Sequence, residues 1–320
     1  MPPANRHDPV RTPCSDSQFS LMEFMRQFPD DAACLEHLWR TRYAPDGEHA
    51  HCPKCKQERS FKRYATSQAR QSWTCTGCGH HVHPTAGTIF AKSSTSLHLW
   101  YYAMYLMAST RCGISAKHLE RELGVSYRTA WRMLNKIRTE LMAQDDAPLS
   151  GEVEVDETAW GGRPRLGEIT GEPGRDLSSA GGAWRQRKKK TVFAMVERGG
   201  RVRADVVPSR KAATLQPHVV KYVLPASTIF TDEWPSYLGL SRTYKGHHRI
   251  RHTEKVYVSG NVHTQTIEGF FSNVKRGIGG TYHSVSSRWL PSYLNEFCFR
   301  YNERSNQRSM FETLLDRAAG

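Results

Sequence analysis

Three acids are spaced for metal chemistry on nucleic acid. Asp156 follows the alternating run Glu152-Val153-Glu154-Val155, Asp232 follows Thr228-Ile229-Phe230-Thr231, and thirty-five residues separate Asp232 from Glu268. Both aspartates read as residues at strand ends, where an apolar run gives out and a side chain projects into the crevice at the edge of a sheet. Alone, an aspartate there is more often a turn or cap residue; the third acid changes the reading. Around Glu268, Ile267, Phe270, Phe271 and Val274 recur at helical spacing. Lys275, seven positions on, falls within about 20° of Glu268 around such a helix. Three carboxylates from two strands and a helix can hold two Mg²⁺ ions that activate a water or a 3′-hydroxyl and stabilise the leaving oxygen of a phosphodiester. Lys275 and Arg276 would then face DNA phosphate.

A second donor set is made of thiols. Cys52-Pro53-Lys54-Cys55 and Cys75-Thr76-Gly77-Cys78 are separated by nineteen residues. Two C-x2-C knuckles at this spacing match a four-thiolate Zn²⁺ site, each knuckle presenting two sulfurs on one side of a tight turn. Gly77 and Gly79 give the second turn its freedom. His80, His81 and His83 follow closely and could compete, but four thiolates already close a structural site. The other cysteines (Cys14, Cys34, Cys112 and Cys298) are scattered, and buried free thiols account for at least some.

A third constellation lies between the two donor sets. Gly113–Leu141 gives a helix with Leu119 and Leu123 inward, a turn at Gly124-Val125-Ser126, and a second helix capped by Ser126. Ala130, Leu134 and Ile137 face inward, leaving Tyr127, Arg128, Thr129, Trp131, Arg132 and Lys136 outward. This is the layout of a helix-turn-helix whose second helix enters the major groove, with Arg128, Arg132 and Lys136 on DNA. Short helical hairpins with glycine turns also occur in plain bundles.

The elements that must position these residues change character along the chain. Residues 17–45 and 96–145 carry helical periodicity, broken at Pro29, Gly113 and Gly124. From Gly151 strands are expected at 151–160, 190–198, 201–208 and 226–232, with helices at 212–223, 264–276 and 288–302. Gly161–Lys190 holds seven glycines and eight basic residues, read either as a solvated linker or as a loop gripping phosphate backbone. A formal charge of +14 over 320 residues implies a polyanionic partner. With 38% hydrophobic residues a real core is expected and global disorder is not. The longest apolar run, Leu97–Ala108, is shorter than the ~20 residues a membrane span needs. A cytoplasmic protein without disulfides is expected.

Zinc ribbon, helix-turn-helix, then Asp, Asp, thirty-five residues and Glu with a basic residue seven on resembles the transposases of bacterial insertion sequences. More narrowly, it is similar to the subgroup with an N-terminal zinc ribbon and an ISXO-type catalytic domain. The motifs carrying this are "CPKC…CTGC", "LGVSYRTAWRML", "VEVDETAWGG", "TIFTDEWPSY", "VHTQTIEGFFSNVKRGIGGTYHSVS" and "YLNEFCFRYNER", from about Phe19 to Asn306. The resemblance implies a multidomain α/β chain: a disordered tail (1–16), a helical lead-in and zinc ribbon (17–92), a helix-turn-helix region (93–147), an RNase H-like mixed α/β domain of the DDE type (148–306, with the basic loop 161–190) and a C-terminal tail (307–320). It implies Asp156, Asp232 and Glu268 as ligands of two Mg²⁺, structural Zn²⁺, double-stranded DNA as partner at element ends and target, a homo-oligomer on that DNA, and a nucleoid-associated location. The expected activity is binding of terminal inverted repeats with strand cleavage and strand transfer. Competing readings are an RNase H-like nuclease that cuts without joining and a domesticated DNA-binding regulator. Relatives often carry Asn where this chain has Gln265, and in some an Asn is described as the third active-site residue; here Glu268 is favoured. His263 either contacts DNA and orients the site or is a polar residue at a helix start.

Overall fold

The computed structural model describes residues 19–64, 72–161, 189–250 and 264–320. The expected disordered tail at 1–16, Cys14, His263 and most of the basic loop lie outside these residues. Two compact units emerge: one from residues up to 142 together with 303–320, the other from 143–302.

In the first unit, α1 (Leu21–Gln27) opens on a capping box between Ser20 and Glu23, and Asp30 caps α2 (Asp31–Arg42) beyond the break at Pro29. Strands β1 (His49–Cys52), β2 (Gln57–Tyr64), β3 (Ser72–Cys75) and β4 (His81–Val82) form an antiparallel sheet in sequence order. Trp39 of α2 stacks on Trp73 of β3, centroids 4.8 Å apart, which docks this sheet on the helices. Ser96 caps α3 (Leu97–Ser109), and Asp31 accepts from both Ser96 Oγ and the His98 N–H at 2.6 Å. Then α4 (Ala116–Leu123) and α5 (Tyr127–Lys136) flank Gly124, whose φ of +64° ends α4 in the left-handed region that glycine adopts without strain. Ser115 and Ser126 cap the two helices. The same unit takes in α9 (Met310–Ala319), because the chain returns to this unit at its end.

The second unit is one five-stranded sheet between two helical layers. Its strands are β5 (Glu152–Trp160), β6 (Lys190–Glu197), β7 (Val202–Val207), β8 (Thr228–Asp232) and β9 (Gly246–Ile250), in spatial order β7-β6-β5-β8-β9. The β5-β6-β7 meander is antiparallel, whereas β8 and β9 run parallel to β5. Strand β6 is buried from Val192 to Val196, the continuous apolar run of a strand covered on both faces. One face packs Val153, Val155, Phe193 and Met195 against α6 (Ala212–Tyr222) and the 3₁₀ segment Pro235–Arg242. The other packs Val192, Ala194 and Val196 against α7 (Gln265–Gly277) and α8 (Leu290–Asn302).

Three expectations need correction. Asp156 is not at a strand end: β5 continues to Trp160, because β6 pairs with it from Val153 to Trp160, and it is the pairing with β8 that stops at Glu154. Strand β9 had no counterpart in the sequence reading. The last residues, expected as a tail, form α9 with a capping box at Ser309 and Glu312.

Candidate metal centres and nucleic-acid interface

Strand parity decides which side chains can meet. Val153 and Val155 face α6, so Glu154 and Asp156 face the α7 layer. On β8, Ile229 belongs to the α6 side, which turns Phe230 and Asp232 toward α7. Glu154 pairs in register with Phe230, and two residues further along each strand stand Asp156 and Asp232, at one level on neighbouring strands. Glu268 sits in the first turn of α7, the helix packed over that face. Two parallel strands and one covering helix therefore bring the three expected acids to one side of the sheet.

Each carboxylate is held locally. Asp156 Oδ1 accepts from the N–H of Glu157 at 2.7 Å, Asp232 Oδ1 from the N–H of Trp234 at 3.0 Å, and Glu268 Oε1 from Thr264 Oγ1 at 3.2 Å. Asp156 and Asp232 are half-buried and Glu268 is exposed. Burial, with the charges of Glu157, Asp232 and Glu268 adding to it, pushes Asp156 up to about 7, against the opposing hydrogen bond from Glu157. No choice of one oxygen from each acid brings all three within 4.8 Å of one another.

Two acids beside this set escaped the sequence reading. Glu154 is fully buried: Arg198 Nε donates to its Oε1 at 2.8 Å and the N–H of Ile267 to its Oε2 at 2.9 Å. The signal was available, since an acid two positions before Asp156 on a strand must share its face. Glu157 points to the opposite face, where Tyr237 Oη donates to it and Arg210 stands 3.8 Å away. Burial first, and the nearby Asp232, raise the Glu157 pKa against the Tyr237 bond; burial and Glu157 hold the Tyr237 phenol well above its ordinary range.

The thiols converge more tightly. Cys52 and Cys78 sulfurs are 3.7 Å apart, those of Cys55 and Cys75 4.0 Å, and all four lie within 4.8 Å, the one such group among the described residues. A tetrahedron with Zn–S bonds of ~2.3 Å has edges of about 3.8 Å, so the cluster fits that ion. The two knuckles repeat one backbone device. Lys56 N–H bonds Cys52 O at 2.8 Å with φ +55°, and Gly79 N–H bonds Cys75 O at 2.9 Å with φ +71°. The Cys55 N–H aimed at Cys52 Sγ is the largest influence drawing that thiol down to about 6. His81 is not among the ligands; its Nδ1 lies 2.9 Å from Thr74 Oγ1.

The basic residues divide. Arg128 is exposed near the start of α5. Arg132 Nη2 reaches Ser93 Oγ at 3.4 Å, and Lys136 Nζ reaches Ile89 O at 3.3 Å and Glu140 at 3.7 Å. Trp131, expected outward, is half-buried, while Ala130, Met133, Leu134 and Ile137 form the inward face. Lys275 is exposed, its ammonium 6.0 Å from the Phe271 ring, and Arg276 bonds Asn273 at 2.5 Å. Gln265 is exposed at the start of α7.

Comparison with known proteins bears on this arrangement. Residues 148–302 match the model of the ISXO2-like transposase domain. Over 287 residues the chain is 30% identical to a protein of the transposable element ISH50 from Halobacterium salinarum, covering 84% of this chain and 91% of that relative. A transposase-like protein of Haemophilus influenzae is 29% identical over 112 residues, 34% of this chain and 89% of that relative.

Proposed function

The chain belongs to the insertion-sequence transposases with an ISXO2-like domain, and we propose that it binds the terminal inverted repeats of its element and carries out metal-dependent strand cleavage and strand transfer. Asp156, Asp232 and Glu268 are the ligands of two Mg²⁺ in this reading. The observation that carries it is the register of β5 on β8, which sets two aspartates level on the face covered by the helix of Glu268. The strand order, with an antiparallel meander followed by two parallel strands, supports an RNase H-like catalytic domain. When bound, the two ions supply activation of a water or 3′-hydroxyl and stabilisation of the leaving oxygen. The residues of the chain hold the acids on three elements at fixed levels, and Lys275, one face with Glu268, receives a DNA phosphate. The Cys52, Cys55, Cys75 and Cys78 cluster holds Zn²⁺ as a structural ion, and α5 presents Arg128 to the element end, with Arg132 and Lys136 alongside. A homo-oligomer on double-stranded DNA follows from the need to hold two element ends together, in a protein of the nucleoid.

The test uses the full chain with a labelled duplex carrying the element end. Cleavage that requires Mg²⁺ and is lost in Asp232→Ala, with end binding retained, is the expected result; cleavage unchanged in that variant ends the catalytic assignment. Supplied with pre-cut ends and a target duplex, the protein should join them. Cleavage without joining would make it a nuclease, and binding with neither reaction a regulator.

A further inference from the structure

Glu154 is a fully buried carboxylate that the reaction does not require as a ligand. An unpaired charge in that position would be strongly unfavourable, so its partners are informative. One oxygen takes the Nε–H of Arg198 at 2.8 Å. The other takes the N–H of Ile267, in the first turn of α7, at 2.9 Å. Thr264, at the N-cap position of α7, makes no side-chain cap bond to the helix backbone. Glu154 therefore fills the role of a capping side chain from a different element, 113 residues away in sequence, and places its negative charge at the positive end of the helix dipole. Ile267 immediately precedes Glu268. Arg198 extends the connection: its guanidinium lies 3.9 Å from the centroid of Phe230, the residue two before Asp232 on β8, and its Nη1 reaches Glu152 at 3.1 Å.

One ion pair thus touches all three elements that carry the candidate metal ligands: β5 through Glu154 itself, β8 through Phe230, and α7 through Ile267. We infer that Glu154, oriented by Arg198, is a positioning residue that fixes the start of α7 so that Glu268 stands over Asp156 and Asp232. This rests on the carboxylate reading above. The physical basis is general: groups that orient metal ligands through hydrogen bonds typically change metal affinity by ~10–100-fold when removed.

The test is Mn²⁺ binding to the full, zinc-loaded chain by calorimetry, with melting temperature recorded in parallel. Wild type should bind, and Glu268→Ala should bind more weakly. Glu154→Ala should weaken binding about tenfold. Glu154→Gln, which keeps an acceptor for the Ile267 N–H, should recover part of that loss, and Glu154→Ala combined with Glu268→Ala should bind no more weakly than Glu268→Ala alone. Should Glu154→Ala not fold, Glu154→Gln and Arg198→Lys make the same comparison, with a loss of about threefold expected. A lower melting temperature with wild-type Mn²⁺ affinity would reduce Glu154 to a buried ion pair and overturn the inference while sparing the metal site. Losses that add in the double variant would overturn it too. Absent Mn²⁺ binding in wild type, or unchanged binding in Glu268→Ala, would instead remove the carboxylate site and this inference with it.

Discussion

At the scale of single residues, the sequence displayed the donors but not their surroundings. Four cysteines at knuckle spacing need no tertiary information to be grouped, whereas Asp156 required the register of β5 on β8 before its level beside Asp232 was visible. Glu154 went unread because a lone acid in an alternating strand is ordinarily solvated; only the covering helix buries it. The knuckles offer a test of backbone strain. Lys56 and Gly79 hold equivalent left-handed conformations, and a Cβ at Gly79 would meet no atom within 4 Å. Lys56→Gly should stabilise the first unit by about 1 kcal/mol and Gly79→Ala should destabilise it by about as much, measured by denaturant unfolding with zinc bound. Equal and same-signed shifts would contradict this account. His247 gives a pH-dependent case. The Thr231 hydroxyl donates to Asp232 O, so it accepts from His247 Nε2–H at 2.9 Å, which requires only the neutral ring. Burial first, then Arg249 and His248, lower the His247 pKa to about 4. The unfolded chain, with a histidine pKa near ~6.5, binds more protons between these values, so the contribution is full above about 6.5 and lost as pH falls toward 4. Half-burial limits the contribution to about 1–2 kcal/mol. His247→Gln, which does not titrate, should be less stable than wild type at pH 7 with the gap closing by pH 5; a gap that is constant with pH would exclude the neutral histidine as its source.

At the scale of elements, periodicity located nearly every helix and strand that has one buried face. It missed β9, whose Gly246-His247-His248-Arg249-Ile250 is a polar edge strand identified by pairing with β8 rather than by its own pattern. It also treated the outer face of α5 as uniform. Arg128 near the helix start is exposed, whereas the Lys136 ammonium sits on Ile89 O beside Glu140, half-buried at the other end. A major-groove helix contacts bases and phosphates mainly through its N-terminal half. Arg128→Ala should therefore weaken binding of the element end and lower the slope of log affinity against log salt by about 1, as loss of one phosphate or base contact does. Lys136→Ala, whose ammonium is partly engaged by Ile89 O and Glu140, should lower that slope by less than Arg128→Ala does while also lowering thermal stability. Titrations of an end duplex at several salt concentrations separate the two, and equal slopes for both variants would mean α5 does not dock by its N-terminal half.

At the scale of the whole molecule, the change of periodicity near Gly151 lies close to the boundary between the two units, whereas the membership of the last residues has no such signal. Helical spacing in Met310–Ala319 says that a face is apolar without saying what covers it, and the covering residues lie about two to three hundred positions earlier. Phe311 packs its ring against Phe19, Phe24, Phe28 and Tyr105, with centroids 5.0 to 5.9 Å apart, and is 1% exposed. Arg317 adds bonds to Leu141 O at 2.9 Å and to Glu303 at 3.2 Å, all within the same unit. A chain that leaves its first unit, builds the sheet of the second and then returns makes the stability of the first depend on its final helix. Removing a buried phenylalanine side chain from such a cluster typically costs ~3–5 kcal/mol. Phe311→Ala should therefore lose amide protection in α1, α2 and α3, with the helix that carries Phe24 affected most, while β5, β6 and β7 keep theirs. End binding should fall with the first unit, and Mn²⁺ binding should stay near wild type because Asp156, Asp232 and Glu268 all belong to the second. Hydrogen exchange resolved by segment reads both halves of this expectation. Unchanged protection in α1 to α3 would make the last helix dispensable, and equal loss across β5 to β7 would mean that the two units unfold as one.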